Sequence, residues 1–182
     1  MKYLLILILL FPLKESSGQT VPGVYWGISF NTQLLLEKDA GNSVELLPPP
    51  DIYLHFKPVF IKYLQADLYA GYIIFTEAWN GLDLGFNIRS KPLLKFAFLV
   101  GINRLHVTGG MPGNSRYNYY QNTAFDFLNV GADYYMSKNG YIEFEYSSVI
   151  SRDKVFGFNE NANKPMKLTG KLEFGLGWDI PF

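Results

Sequence analysis

Apolar and polar residues alternate along most of this chain, and the last segment shows it best. Leu168, Gly170, Leu172, Phe174, Leu176, Trp178, Ile180 and Phe182 share one parity. Lys167, Thr169, Lys171, Glu173, Gly175, Gly177, Asp179 and Pro181 share the other. A strand turns successive side chains to opposite faces, so a period of two predicts a two-faced strand. The same split recurs seven times upstream. Trp26 to Leu36 opposes Gly27, Ser29, Asn31 and Gln33; Ile52 to Phe56 opposes Tyr53, His55 and Lys57; Leu68 to Ile74 opposes Asp67, Tyr69 and Gly71. Leu82 to Ile88 opposes Asp83, Gly85, Asn87 and Arg89; Leu94 to Ile102 opposes Lys95, Ala97, Gly101 and Asn103. Leu128 to Tyr134 opposes Asn129, Gly131 and Asp133; Ile142 to Ile150 opposes Glu143, Glu145 and Ser147. Eight strands are predicted, with no amphipathic helix between them.

The sizes on the two faces indicate the solvent. The polar face carries Gly27, Gly71, Gly85, Gly101, Gly131, Gly175 and Gly177, while the apolar face carries Trp26, Phe30, Phe86, Phe96, Phe98, Phe144, Phe174 and Trp178. A soluble barrel turns its bulk inward. A membrane barrel turns bulk to lipid and small or polar groups to a narrow lumen. The pattern therefore predicts an all-β, eight-stranded, antiparallel, up-and-down transmembrane barrel with a lumen filled by side chains. Trp26, Phe60, Tyr134, Trp178 and Phe182, near strand ends, are expected at the bilayer interfaces. Long connections (37–50, 107–122 and 151–164) tend to alternate with short ones such as Ser137-Lys138-Asn139-Gly140, whose Asn-Gly pair suits a tight turn. In such a barrel the long loops face outward and the short turns face the periplasm.

The first twenty residues stand outside this scheme. Lys2 precedes an apolar run from Tyr3 to Leu13, too short to span a bilayer as a helix, and Ser16 and Gly18 suit a cut before Gln19. Residues 1–18 are expected to be a cleaved Sec signal peptide and residues 19–182 the barrel domain. Cleavage would remove Lys2, Lys14 and Glu15, taking 16 basic and 16 acidic residues to 14 and 15. That balance excludes a binder of nucleic acid that works through a basic footprint. The absence of cysteine excludes a disulfide framework, a thiolate metal site and a lipid-anchored N-terminal cysteine. Aromatics at 17% and charged residues at only 18% fit a chain with a lipid-facing surface.

The alternating terminus Phe174, Leu176, Trp178, Ile180 and Phe182 resembles the C-terminal β-signal of bacterial outer-membrane proteins, with Pro181 an unusual neighbour for the last residue. The resemblance implies recognition by the barrel assembly machinery. Residues 19–182 as a whole resemble the small eight-stranded barrels, similar to the transmembrane part of OmpA, OmpX or OmpW. This likeness is one of pattern rather than of a diagnostic motif. The signal cut before Gln19 resembles that of exported proteins of Bacteroidota. The implied location is the outer membrane of a Gram-negative bacterium, with outer-membrane lipids as partners.

Charges concentrate on the inward parity: Lys57, Asp67, Asp83, Arg89, Lys95, Asp133, Glu143, Glu145, Lys171, Glu173 and Asp179. Acids and bases are mixed, so the expectation is a network of ion pairs that largely cancel and fill the lumen. A diffusion pore is the less favoured reading, and a proton or cation site at the carboxylates less favoured still. A lipid A-modifying enzyme would need a nucleophile, a base and an orienting acid near the outer leaflet. His55 sits mid-strand on the lumen face, and His106 lies at the outer end of the fifth strand, two residues before Thr108. No acid lies on the strand of His106 to orient it, so any partner there would come from another strand. No phosphate loop, metal-ligand spacing or nucleotide fingerprint occurs, so no cofactor and no metal are expected. The loop containing Arg116, Tyr117, Tyr119 and Tyr120 has the composition of an adaptable binding surface and equally that of a bilayer interface. The expected role is structural or interactive, through outer loops or as an accessory subunit of a larger outer-membrane complex.

Overall fold

The computed structural model describes residues 23–38, 44–61, 63–74, 80–90, 95–109, 117–119, 123–151, 155–159 and 164–181. The expected signal segment lies outside them. Ten strands are present: β1 (Val24–Lys38), β2 (Val44–Ile61), β3 (Leu64–Ile74), β4 (Asn80–Ser90), β5 (Phe96–Gly109), β6 (Tyr117–Tyr119), β7 (Ala124–Tyr135), β8 (Gly140–Val149), β9 (Val155–Asn159) and β10 (Lys164–Pro181). Eight of them close on themselves in the order β1-β2-β3-β4-β5-β7-β8-β10, and β10 pairs back onto β1. Every pairing is antiparallel. The closing ladder runs from Tyr25 opposite Pro181 to Lys38 opposite Lys167. Closure leaves the barrel without the unpaired backbone edges that lipid would not tolerate. The eight barrel strands reach or exceed the ~9–11 residues that cross a bilayer when tilted. The fold is an eight-stranded up-and-down transmembrane barrel.

Burial follows parity along most of the wall. In β10 the register shift beside Gly170 leaves Gly170 and Lys171 both buried and turns Leu168, expected on the outward face with Phe174, into the lumen. On β4 the side chains of Leu82, Leu84, Phe86 and Ile88 are exposed, while Asp83, Asn87 and Arg89 are buried. The exposed set around the barrel is apolar and large, and includes Leu54, Phe98, Ile102, Val130, Phe144, Phe174 and Trp178. Toward the short-turn end, aromatic pairs such as Trp26 with Phe56 and Phe96 with Tyr134 sit with ring centroids 5.1 Å apart. The turn at 136–139 is closed by Ser137 Oγ, which accepts from the Gly140 amide at 2.9 Å.

The connections differ from expectation in that parts of the expected loops are paired strand. The segment 44–50 was expected in the first loop, but it continues β2, with Leu47 opposite Gln33 and Val44 opposite Leu36. The ladder jumps from Asn31↔Asp51 to Gln33↔Leu47, so Pro48, Pro49 and Pro50 occupy the irregularity. Proline cannot donate to a ladder and is tolerated at such a bulge. Two further pieces of loop are also strands. β9 pairs with the start of β10, and β6 pairs with β9.

Candidate functional site in the barrel interior

Among the described residues, polar chemistry is concentrated on the inward face of the barrel, and it is layered. Lys57, Asp67, Asp83, Arg89, Asp133, Glu143, Glu145, Lys171, Glu173 and Asp179 are all buried there. Lys95 is not among them: it lies in the turn before β5, exposed, with its ammonium 5.8 Å from the centre of the Tyr134 ring. A turn residue is free of strand parity, which is why alternation misplaces it.

Near the short-turn end, the Lys57 ammonium donates to Asp179 at 2.7 Å and to Tyr141 Oη at 2.9 Å. One rung inward Arg89 is the hub. Its Nε donates to Asp67 at 2.6 Å, its Nη2 to Glu143 at 2.6 Å, and its Nη1 to Asp133. Only a guanidinium offers donors in a rigid planar fork, so three carboxylates from β3, β7 and β8 converge on one side chain. Toward the middle, Lys171 bridges Asp83 at 2.8 Å and also pairs with Glu173. Asp83 further accepts from Asn103 at 2.6 Å and from Tyr53 Oη at 3.3 Å.

The inward glycines are slots for large neighbours rather than empty space. Gly71, Gly85 and Gly177 stand directly across the ladder from Tyr53, Tyr69 and Tyr141. A Cβ at any of the three would collide with the facing ring. Each tyrosine therefore lies flat across the neighbouring strand, and its hydroxyl reaches the polar network: Tyr69 Oη accepts from Asn129 at 3.0 Å.

His55 is buried and held at both ring nitrogens. Nδ1 is 3.0 Å from Asp67 Oδ1, and Nε2 is 2.9 Å from Ser29 Oγ. A carboxylate only accepts, so Nδ1 donates to Asp67 and, in the neutral ring, Nε2 accepts from the Ser29 hydroxyl. The order serine, histidine, acid is that of a hydrolytic triad. Ser29 and Asp67 are fully buried, however, and an adjoining interior cavity of about 10 Å³ admits a single water at most. No acyl substrate reaches that hydroxyl. His106 projects outward from β5 and is exposed. The acid on the next strand's same face, Asp126, is engaged by Arg104 at 2.7 and 3.2 Å and by Ser151 at 3.3 Å. Thr108 Oγ1 donates to the Asn80 carbonyl at 3.3 Å. Among the described residues, Asp126 and Thr108, the acid and hydroxyl on the outward face beside His106, are thus committed elsewhere.

Two features of the lumen escape parity. The first is an apolar cap. Leu35, Ile73, Leu105, Val107, Phe125, Phe127 and Leu168 form a buried cluster near the loop ends of β1, β3, β5, β7 and β10. These inward positions are apolar on a face that is polar elsewhere, and the outward positions beside them are often apolar too, so alternation fades there. Lys171 marks the boundary, its ammonium 5.2 Å from the centre of the Phe127 ring. The second is charge imbalance. The acids and bases were expected largely to cancel, but the buried acids are Asp51, Asp67, Asp83, Asp133, Glu143, Glu145, Glu173 and Asp179, against Lys57, Arg89, Lys171 and the imidazole of His55. The pairing across β8 and β10 sets Glu145 opposite Glu173.

The assembly-signal residues Phe174, Leu176, Trp178 and Ile180 lie on the exposed face of β10, and Phe182 falls outside the described residues. Of the expected loop surface, Tyr117 and Tyr119 lie in β6, opposite Asn159 and Gly157 of β9; Arg116 and Tyr120 fall outside the described residues.

No family model and no curated protein matches the chain. Solved structures do match. The outer membrane protein OprG of Pseudomonas aeruginosa is 11% identical over 91% of this chain and 99% of its own, with a TM-score of 0.51. The N-terminal β-barrel domain of OprF from the same organism is 10% identical over 86% of this chain and 97% of its own, with a TM-score of 0.50. Ail, the attachment invasion locus protein of Yersinia pestis, is 11% identical over 88% of this chain and 100% of its own, with a TM-score of 0.50. In fold the chain is similar to the small eight-stranded barrels of the outer membrane, over nearly the whole length of each.

Proposed function

We propose that this chain is an outer-membrane barrel protein whose role is structural or interactive, exercised through its loop-end strands and its lipid-facing wall rather than through a pore or a reaction. One observation carries the reading. The lumen is filled in series, by an ion-pair layer anchored on Arg89 and by an apolar cap of Phe125, Phe127 and their neighbours. Ions crossing the barrel would have to break both layers. The surfaces left for work are the outer wall and the strands beyond the bilayer, where β6, β9 and the starts of β2 and β10 extend the sheet. An accessory subunit packed laterally in a larger outer-membrane assembly fits the same wall.

The experiment is fractionation of cells expressing the native chain, with gel mobility before and after heating and migration of the mild-detergent extract by native electrophoresis. The expected result is recovery with outer membranes, a heat-dependent mobility shift, and a native species larger than one barrel in its micelle. Recovery in the soluble fraction without detergent would overturn the membrane assignment. A lone barrel that changes the lipid A profile of its host would overturn the interactive one in favour of an enzyme.

A further inference from the structure

We propose that the lumen is a proton-binding site, with protons held by Glu145 and Glu173, the glutamates that face each other on β8 and β10. Two independent shortages point to it. The first is of positive charge. Leaving Asp51 aside, the buried lumen still holds seven acids against Lys57, Arg89, Lys171 and His55. A buried carboxylate without compensation costs several kcal/mol, so a folded lumen with this excess takes up the missing charge. The second shortage is of donors. Asn31 Oδ1, Gln33 Oε1, Asn103 Oδ1, Asn129 Oδ1 and Asp133 Oδ1 are buried without a hydrogen-bond partner, and all five are acceptors. A protonated carboxyl group relieves both shortages at once, because it loses its charge and gains an O–H donor.

The position of Glu145 singles it out. Every other acid of the charged layers, Asp67, Asp83, Asp133, Glu143, Glu173 and Asp179, has a lysine or arginine within 4 Å. Glu145 has only neutral donors, Ser147 Oγ at 3.1 Å and Asn87 Nδ2 at 3.5 Å. On its own strand it follows Glu143, whose carboxylate is taken by Arg89 of β4. Across the rung on β10 stands Glu173, which shares Lys171 with Asp83 of β4. On β7 the nearest charge is Asp133, likewise bound to Arg89. Tyr69 of β3 and Tyr53 and His55 of β2 close the remaining sides, and β1 supplies Asn31. Asn31 is 2% exposed, donates to Glu143 at 3.1 Å and to Glu173 at 3.5 Å, and has no partner at its oxygen. Glu143, Glu145, Glu173 and Asn31 line the water-sized cavity of about 10 Å³, room for a proton carried with one water. Among the described residues no three acid or imidazole groups converge as metal ligands. The proton is therefore the ligand this geometry fits.

The test is infrared spectroscopy of the barrel folded in lipid at neutral pH, reading the C=O stretch of protonated carboxyl groups. The wild type should show the band, and E145Q and E173Q should each weaken it, since glutamine keeps the shape and removes the titrating group. D126N, which alters an acid on the outer face, should leave it unchanged. A second reading needs no variant: unfolding the wild type in unbuffered neutral solution should release protons, because the exposed carboxyls then ionise. A wild type with no such band and no proton release overturns the proposal. So does a band that persists undiminished in both glutamine variants.

Discussion

Toward the short-turn end the lumen is filled by Lys57, Arg89, Asp67, Asp133 and Glu143 with the rings of Tyr135 and Tyr141, and nearly every polar atom is tied to another strand. Toward the loop end Leu35, Ile73, Leu105, Val107, Phe125, Phe127 and Leu168 fill the same cross-section without an ion pair among them. Both solutions occupy a channel just wide enough for side chains. They differ in what they enforce. Ion pairs and hydrogen bonds fix which strand neighbours which, because only one register brings Arg89 to three acids. The apolar cap adds little register information but excludes water, and so keeps the layer below it dry and its ion pairs strong.

The comparison breaks most visibly at Arg89. R89M removes the cation shared by Asp67, Asp133 and Glu143 and leaves buried acids without compensation, a cost of about 3–5 kcal/mol. Urea unfolding in lipid, followed by heat-dependent gel mobility, should show a large drop in midpoint. An unchanged midpoint would mean that the charged layer contributes nothing. F127A opens a cavity in the cap and should cost about 3 kcal/mol in the same assay. It should also speed exchange of the Glu143 and Glu145 backbone amides, which R89M should do less, since only the cap excludes water from the loop side.

Gly177 sharpens the comparison at the turn end. G177A forces the Tyr141 ring aside and should lower stability by about 1–3 kcal/mol. The double variant G177A/Y141A should lose much less than the sum of the single changes, because the clash needs both groups. A strictly additive pair would show that the ring does not rest on the glycine. The smallest effect belongs to Arg104 and Asp126, a pair on the exposed outer face. R104A should leave the unfolding midpoint unchanged within error.

Strand number in the barrel, closure and most inward charges were legible because a period of two fixes the face of a side chain wherever the ladder is regular; the register shift in β10 that turns Leu168 inward leaves no such trace. Parity says nothing about height along the barrel, so it could not separate Phe125 and Phe127 in the cap from the charged layer below. It also could not place residues off the ladder, and Lys95 in its turn is the instance. The tract 44–50 was hidden by its three prolines, which break the alternation although the backbone on either side remains paired. The triad-like contact of Ser29, His55 and Asp67 joins three strands, and no single-strand pattern contains it. The charge excess was already present in the inward set, seven acids against four bases, and it widened once Lys95 left the lumen and Asp51 entered it.

Single-channel recording on the purified wild-type barrel in a planar bilayer tests the sealed lumen most directly. A quiet baseline is expected under applied potential at moderate salt, with conductance steps appearing only when both layers are opened together in R89A/F127A. Reproducible steps from the wild type, abolished by boiling the sample before insertion, would contradict a lumen closed by its own side chains.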